Sequence, residues 1–526
     1  MRIGVDVGGT NTDAVLMDGT RVVAAVNTAT TADVGSGIAE AIRTVLAAAG
    51  TQPDAVLAVM IGTTHFTNAF IERRHLNRIG VVRIAYPATT SIPPLYGWPA
   101  ELLAAVAGDA RIVPGGYEFD GREIAAFDEP AVREAAQAFR RAGLNAVAIS
   151  STFAPLNRTM EDRAAGIIAE EIPGARLSLS ADFGRLGLLE RENAAAMNAS
   201  LAVLADQVIR SFESALASLG IDAPLYISQN DGTLMAASHA ARYPVMTFAS
   251  GPTNSMRGAA LLAGASDALV IDIGGTTTDV GCLTRGFPRE STLSTAIAGV
   301  RTNFRMPDIV SIGVGGGSVV HDGAEVRIGP VSVGYELMTR ALVFGGETLT
   351  ASDIAVAAGL ADFGDRSRVR HLKAEFVRNA LAAIRAAIEG AVDRIKLSAE
   401  ARPAILVGGG SILIGGELNG ISSILVPEHH SVANAVGAAI AQAGGEADRC
   451  YSYDLIGREA ALADAEAVAT ASAVAAGASP VTVRVTDVEE LPLAYLPGAT
   501  TRVRMRAVGD MDLIRRSATH AREILQ

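Results

Sequence analysis

Cysteine is almost missing: Cys282 and Cys450 are the only two in 526 residues. One chain therefore cannot build a disulfide framework or a four-cysteine zinc or iron–sulfur site, and a reducing, cytoplasmic setting is expected. Charge is sparse as well. Charged residues make up 19% of the chain against 49% hydrophobic, with a formal net charge of -12. Phosphate backbones are gripped by clustered Lys and Arg, so this balance argues against a nucleic-acid partner. Long apolar runs are lacking too. Met1 leads straight into Ile3-Gly4-Val5-Asp6 without the pattern of a signal peptide, and the alanine-rich stretch from Ala467 to Val483 is broken by Gly477 and Pro480, so no membrane span is expected. What is abundant is apolar side chains and 54 glycines. That is the composition of a globular α/β protein whose parallel strands are buried on both faces, and the length implies three or four domains.

The chain repeats itself once. Asp6-Val7-Gly8-Gly9-Thr10-Asn11-Thr12-Asp13 returns as Asp272-Ile273-Gly274-Gly275-Thr276-Thr277-Thr278-Asp279, identical at six of eight positions. Two copies so far apart do not make a solenoid; they imply two related lobes. Apolar β-rich runs flank each copy, Ile3 to Val7 and Ala14 to Met17 in the first, Leu269 to Ile273 and Val280 to Leu283 in the second, so each reads as a hairpin bent at Gly-Gly. Val22 to Val26 adds a strand to the first lobe, Val34 to Ala49 has helical spacing that ends at Gly50, and Val56 to Ile61 is a buried strand leading into Gly62-Thr63-Thr64-His65. Prolines and glycines at about 86–121 predict an insertion. Further helices are expected over Glu129–Ala142 and Leu188–Leu219, with a strand at Ala146–Phe153 between them. The resulting division is a first lobe at 1–264 with that insertion, a second lobe at 265–445, and a separate α+β appendage at 446–526. The appendage should carry a helix over Arg458–Ala476 and alternating strands at Val481–Val485 and Arg502–Ala507.

A tight hairpin with this composition suits a polyphosphate. Glycines at Gly8, Gly9, Gly274 and Gly275 let backbone N–H groups approach phosphate oxygens, and Thr10, Thr12, Thr276 and Thr278 add hydroxyl donors, with Asn11 and Thr277 at the same tips. Asp6 and Asp272, at strand ends, offer hard oxygens to magnesium or its waters. Asp13 and Asp279 either orient water or brace the hairpins. One hairpin can hold the β-phosphate and its twin the γ-phosphate. In the second half Ile405-Leu406-Val407 runs into Gly408-Gly409-Gly410-Ser411, suited to backbone packed flat against adenine or ribose, and Val432 to Ala439 is a helix of small residues. Thr63 is a further catalytic candidate at a strand end facing the cleft. His65 beside it is an acid or base by residue type, although an isolated histidine is more commonly structural. The His429-His430 pair reads as exposed loop, and Cys282 as core.

Phosphate hairpin, second phosphate hairpin, adenine glycines and small-residue helix is the order found in actin, the seventy-kilodalton heat-shock chaperones and sugar kinases. The fold expected is therefore two actin-like ATPase (ribonuclease H-like) lobes around a nucleotide cleft. In detail the sequence resembles the hydantoinase A and 5-oxoprolinase family. The likeness lies in Ile3 to Asp13, Gly62-Thr63-Thr64-x-x-Thr67-Asn68-Ala69 with Glu72-Arg73-Arg74, Gln229 to Met235, Ser250-Gly251-Pro252, Asp272 to Asp279, Ser311 to Ser318 and Gly329-Pro330-x-Ser332-x-Gly334. Gly315 and Gly316, in the sixth of these segments, join the candidate nucleotide-binding residues. The resemblance implies ATP and magnesium as cofactors, and a reaction in which a cyclic amide such as a hydantoin, 5-oxoproline or a lactam is opened through phosphorylation of its amide oxygen. It also implies a second subunit. After Gly334 the chain departs from longer members, reading Tyr335-Glu336-Leu337-Met338 where they carry a proline- and glycine-rich run. The same clasp would also serve a small-molecule kinase or an ATP-gated scaffold, and the product distinguishes them: an opened ring with phosphate, a stable phosphorylated metabolite, or neither.

Overall fold

Each copy of the repeated octapeptide bends one β-hairpin, and the two hairpins share one set of pairings. Strand Arg2–Val7 lies antiparallel to Asn11–Asp18 and parallel to Ala58–Thr63; Leu269–Ile273 lies antiparallel to Thr278–Thr284 and parallel to Arg402–Val407. Asp6 stands opposite Asp13, and Asp272 opposite Asp279. A further antiparallel strand follows the hairpin in each case, Arg21–Ala29 in the first and Ile309–Ile312 in the second. The computed structural model describes residues 1–8, 11–29, 34–183, 186–291, 295–304, 306–323, 325–494 and 498–511.

The central strands carry no polar face because both of their faces are covered: every residue of Ala58–Thr63 and of Leu225–Ser228 is buried. Helix Val34–Ala49 turns Ile38, Ile42, Val45 and Leu46 inward. It stops at Gly50, whose φ of +61° lets Thr51 N–H reach back 3.0 Å to the Leu46 carbonyl. The long helix runs over Leu188–Ser218, as its spacing predicts. Among the described residues no helix is long and apolar enough to cross a membrane.

The insertion is larger than the proline-rich stretch suggested. A separate four-stranded parallel sheet, ordered Ala107–Pro114, Ile79–Tyr86, Ala146–Ser151, Arg176–Leu179, spans this part of the chain. The segment at 86–121 holds only the first crossover of that module and its second strand, including helix Ala100–Val106. A buried ion pair ties the module to the long helix: Arg83 holds Glu192 through two bonds of 2.6 and 2.7 Å, and Ser150 donates to the same carboxylate. Arg83 is 0% and Glu192 1% exposed, so the pair survives burial only because its hydrogen-bonding capacity is met.

The C-terminal segment, expected to stand apart, extends the first lobe's sheet instead. Gln442–Ser452 pairs in parallel with Thr233–Ala236, Thr500–Gly509 pairs with Gln442–Ser452, and Arg484–Pro492 closes the nine-stranded sheet at its edge. The strand expected from Val481 begins at Arg484. Helix Arg458–Ala475 covers this extension with Ala461, Ala465, Ala469 and Ala473.

Two short-residue helices join the lobes. Ser250–Ala263 packs on strands of both lobes, and Ala433–Ile440, reached from the second lobe, lies against the first lobe's strands Arg2–Val7 and Ala58–Thr63. They cross with almost no side chain between them: a β-carbon on Gly258 would meet the Ala433 carbonyl oxygen at 1.9 Å, and one on Gly437 the Asn254 carbonyl oxygen at 1.8 Å.

Candidate active site

The hairpin register carries Asp6 and Asp272 to the ends of their strands, and the two lobes bring these ends together. Asp6 is 5% exposed. Burial is the main cause that lifts its pKa to about 6, against a hydrogen bond of 3.3 Å from Asn434 that lowers it. Burial likewise lifts Asp272 to about 7, with the charges of Asp279 and Asp6 adding to the rise. By accessible surface Asp272 is only half-buried. Asp13 is raised well above the usual range by burial and then by Asp6, with Asp272 contributing. The mutual influence of Asp6, Asp13 and Asp272 places both hairpins at one site.

The later aspartate of each hairpin is tied to the strand beyond it. Asn27, directly opposite Asp13, donates to its carboxylate; Ser311, directly opposite Asp279, does the same there. Asp6 differs, because its Oδ1 is buried without a hydrogen-bond partner. The space above Gly62 is bounded by that oxygen and by Asn254 Nδ2, which a β-carbon would meet at 2.8 and 2.6 Å. Neither polar atom of the Asn254 side chain has a partner, though the residue is 0% exposed. Ser255, next along the helix, stands beside Asp272 with a hydroxyl that closes no bond of ordinary geometry. Successive residues of one lobe-joining helix thus meet the strand-end aspartates of both lobes, and Asn434 of the other helix holds Asp6. Sequence reading missed Asn254, Ser255 and Asn434; the available signal was asparagine and serine inside helices rich in Ala and Gly.

The hairpin backbones are partly committed. Gly8 N–H donates to Asn11 O at 3.0 Å and Gly274 N–H to Thr277 O at 2.9 Å, so these amides close the turns. Thr278, expected as a phosphate donor, gives its hydroxyl to Val314 O at 2.6 Å, and Thr12 is 1% exposed. Asn11, Thr276 and Thr277 are exposed at the tips, with Gly275 half-buried beside them. Gly9 and Thr10 lie outside the described residues. Gly315 and Gly316 act behind the second hairpin: Gly315 N–H bonds Ser318 Oγ, Gly316 N–H bonds Gly274 O, and a β-carbon on Gly315 would strike the Thr276 backbone at 2.7 Å. Their donors support the turn and do not point at a ligand. Gly408 and Gly410 press on the same strand end, where a β-carbon on Gly408 would lie 2.3 Å from Asp272 Oδ1. Gly409 faces open space, and Ser411 closes the turn by bonding Gly408 O. Thr63 is fully buried; its Oγ1 accepts from His65 N–H at 3.1 Å, which ties it to the start of helix His65–Glu72. Burial lowers the pKa of His65.

Models of the hydantoinase/oxoprolinase N-terminal region and of the hydantoinase/oxoprolinase domain match residues 2–172 and 191–395. The chain belongs to the hydantoinase/oxoprolinase family. It is 26% identical over 389 residues to caprolactamase subunit alpha of Pseudomonas jessenii, covering 69% of this chain and 55% of that one. In sequence the chain spans about half the length of the curated relatives it matches first. The fold is shared with the ATP-dependent caprolactamase from Pseudomonas jessenii (TM-score 0.75, 18% identical, 97% of this chain and 87% of that one). It is shared also with nucleotide-free acetone carboxylase (TM-score 0.70, 18% identical, 97% and 88%). The two hairpin-bearing lobes expected from the repeat are present, in the fold that this chain shares with those two structures.

Asp6 and Asp272 are the residues here that could hold a divalent cation such as magnesium. Asp6 carries an unpaired carboxylate oxygen and its charge acts on Asp272, and magnesium is commonly held by one or two carboxylates, with water and phosphate oxygens completing its shell. The raised pKa values set a sign that can be checked. A carboxylate raised in the folded state holds its proton more tightly than in the unfolded chain. Without metal, Asp6 and Asp272 therefore stabilise fully below the ordinary carboxylate range, and that contribution is lost as pH rises through about 6 to 7. A divalent cation favours the ionised forms. The rise in melting temperature with magnesium nucleotide should accordingly grow between about pH 5.5 and pH 8, and Asp6→Asn should flatten the trend. A pH-independent rise in the unmodified chain would disprove the assignment.

Proposed function

We propose that this chain is the ATP-using subunit of a hydrolase that opens a cyclic amide, and that a second subunit completes the reaction. The observation that carries the reading is the junction of Asp6 and Asp272, from matching hairpins of two lobes, at one buried acidic site with an unpaired oxygen. Family membership and the relative named caprolactamase subunit alpha support it.

In this reading Asp6 and Asp272 hold magnesium directly or through its waters; bound there, the ion would neutralise phosphate charge. Asn11, Gly275, Thr276 and Thr277 line the phosphates, Gly408 to Ser411 provide a flat surface for the nucleoside, and Asp13 and Asp279 brace the hairpins. An amide carbonyl is a poor electrophile. Its oxygen attacks the γ-phosphorus, ADP departs, and the resulting imidate phosphate accepts water at carbon. The carbon–nitrogen bond then breaks with the nitrogen leaving protonated, and a second water releases phosphate from the acyl phosphate. Positioning and charge neutralisation are what such a clasp contributes.

The test is coupled measurement of ADP and ring-opened product with ε-caprolactam, 5-oxoproline and hydantoin, with and without the second subunit. ADP formed in step with an opened ring, and only when both subunits are present, is the expected result. A stable phosphorylated metabolite, or slow turnover indifferent to every amide, would replace this reading with a kinase or a scaffold.

A further inference from the structure

Outside the acidic clasp the first lobe carries a half-open cavity of about 990 Å³, and none of the four hairpin aspartates lines it. Its wall includes Phe183, Tyr243, Phe304, Met246 and Asn303. Phe304 packs edge-on against Phe183 at 6.4 Å and Phe248 at 6.3 Å, giving a firm apolar surface. Most polar groups on the wall are satisfied. Tyr243 donates to Asp182 at 2.8 Å, Arg158 pairs with Asp182 at 3.2 Å, and Gln229 donates to Thr233 and to Leu234 O. Asn303 is the exception: it is 8% exposed, yet neither its Oδ1 nor its Nδ2 has a hydrogen-bond partner. The strand that ends just before it is fixed, because Asn193 donates to Arg301 O at 2.8 Å and accepts from Trp98 at 2.7 Å. A buried carboxamide left wholly unpaired on the wall of a cavity is costly unless a ligand completes it.

We propose that this cavity binds the ring of a cyclic amide and that Asn303 reads its amide edge. A carboxamide presents a donor and an acceptor side by side, so its complement must do the same in reverse. A small ring forces its amide cis, which sets N–H and C=O on one edge; an open-chain secondary amide is trans and points them in opposite directions. Asn303 therefore selects rings over linear amides, while Phe304 and Phe183 receive the ring carbons. Adenine also offers a donor beside an acceptor. The cyclic amide is favoured because Gly408 to Ser411, assigned above to the nucleoside, do not line this cavity. The cavity adjoins the clasp: Thr253, one residue before Asn254, donates to Asn230 O on the cavity wall at 3.0 Å. The inference rests on the reading above for its substrate class and assigns Asn303 to specificity.

Calorimetric titration of the full chain with 2-piperidone and glutarimide, against N-methylpropanamide and adenosine, tests it. Both rings should bind, the linear amide should bind at least about tenfold more weakly, and Asn303→Leu should cost the rings about tenfold or more. Asn303→Asp keeps the shape and the acceptor but removes the donor, and should weaken ring binding as well, so the test survives if the leucine variant fails to fold. Absent ring binding, equal binding of the linear amide, displacement by adenosine, or unchanged affinity in a folded variant would overturn the proposal. Ring opening with an unchanged KM in Asn303→Leu would sink this inference alone. Ring binding that depends on Asn303 without ATP-coupled opening would sink the proposed function alone.

Discussion

Asp272→Asn should lower ATP turnover by about two orders of magnitude or more while the chain stays folded. The reason is the burial that lifts this carboxylate to about 7 beside Asp279 and Asp6. Asparagine resembles the protonated form, which the metal-free protein already favours, so the melting temperature without metal should hold or rise. What disappears is the charge that a magnesium nucleotide needs, and with it the stabilisation by ligand. Asp13→Asn is the informative comparison. Asp13 is engaged by Asn27 on the neighbouring strand, so its replacement should cut turnover by about tenfold and disturb the hairpin itself. Steady-state ADP release and thermal melts of both variants decide the matter. Equal losses accompanied by unfolding would make both carboxylates structural.

Gly258→Val should destabilise the protein by about 3 kcal/mol or more, since overpacking against backbone has no side chain to displace. The added β-carbon would sit 1.9 Å from the Ala433 carbonyl oxygen at the crossing of the two lobe-joining helices. Pushing those helices apart also shifts Asn254 and Asn434, so magnesium-nucleotide affinity should fall with stability. Gly166→Ala provides the contrast. Gly166 lies in helix Thr159–Glu171 with open space where its β-carbon would be, and alanine there should gain about 0.5–1 kcal/mol. Denaturant melts of the two variants measure both effects. A Gly258→Val chain as stable as the parent would mean that the helices slide freely.

Local chemistry is what the sequence made legible. The repeated octapeptides, the helix ended by Gly50 and the apolar strand into Thr63 each carry their signal within a few residues. The hairpins' shared site followed from the repeat, since matching turns imply matching lobes. Partnerships across the chain left no such mark. Nothing in Gln442 to Ser452 announces that it pairs with Thr233–Ala236, because a half-buried strand has the same alternation whichever edge it joins. The parallel strand Ile79–Tyr86 is an apolar run broken only by Arg83 and says nothing of which sheet it joins, so the prolines after it read as the start of an insertion that is already under way. Gly8, Gly274, Gly315 and Gly316 show the same limit at the site. Residue type placed them at the hairpins, but only the hydrogen-bond partners separate amides that could meet a phosphate from amides that hold the turn.

The C-terminal strands of the nine-stranded sheet bear on the order in which the protein can assemble. Thr233–Ala236 remains an open edge until Gln442–Ser452 arrives, and that strand leaves the ribosome only after the whole second lobe. The first lobe, though synthesised first, is therefore finished last. During synthesis it presents an unpaired strand able to capture a neighbouring chain, and a fragment cut after the second lobe would keep that edge permanently. Closure of that part of the sheet thus waits for strands encoded beyond the second lobe.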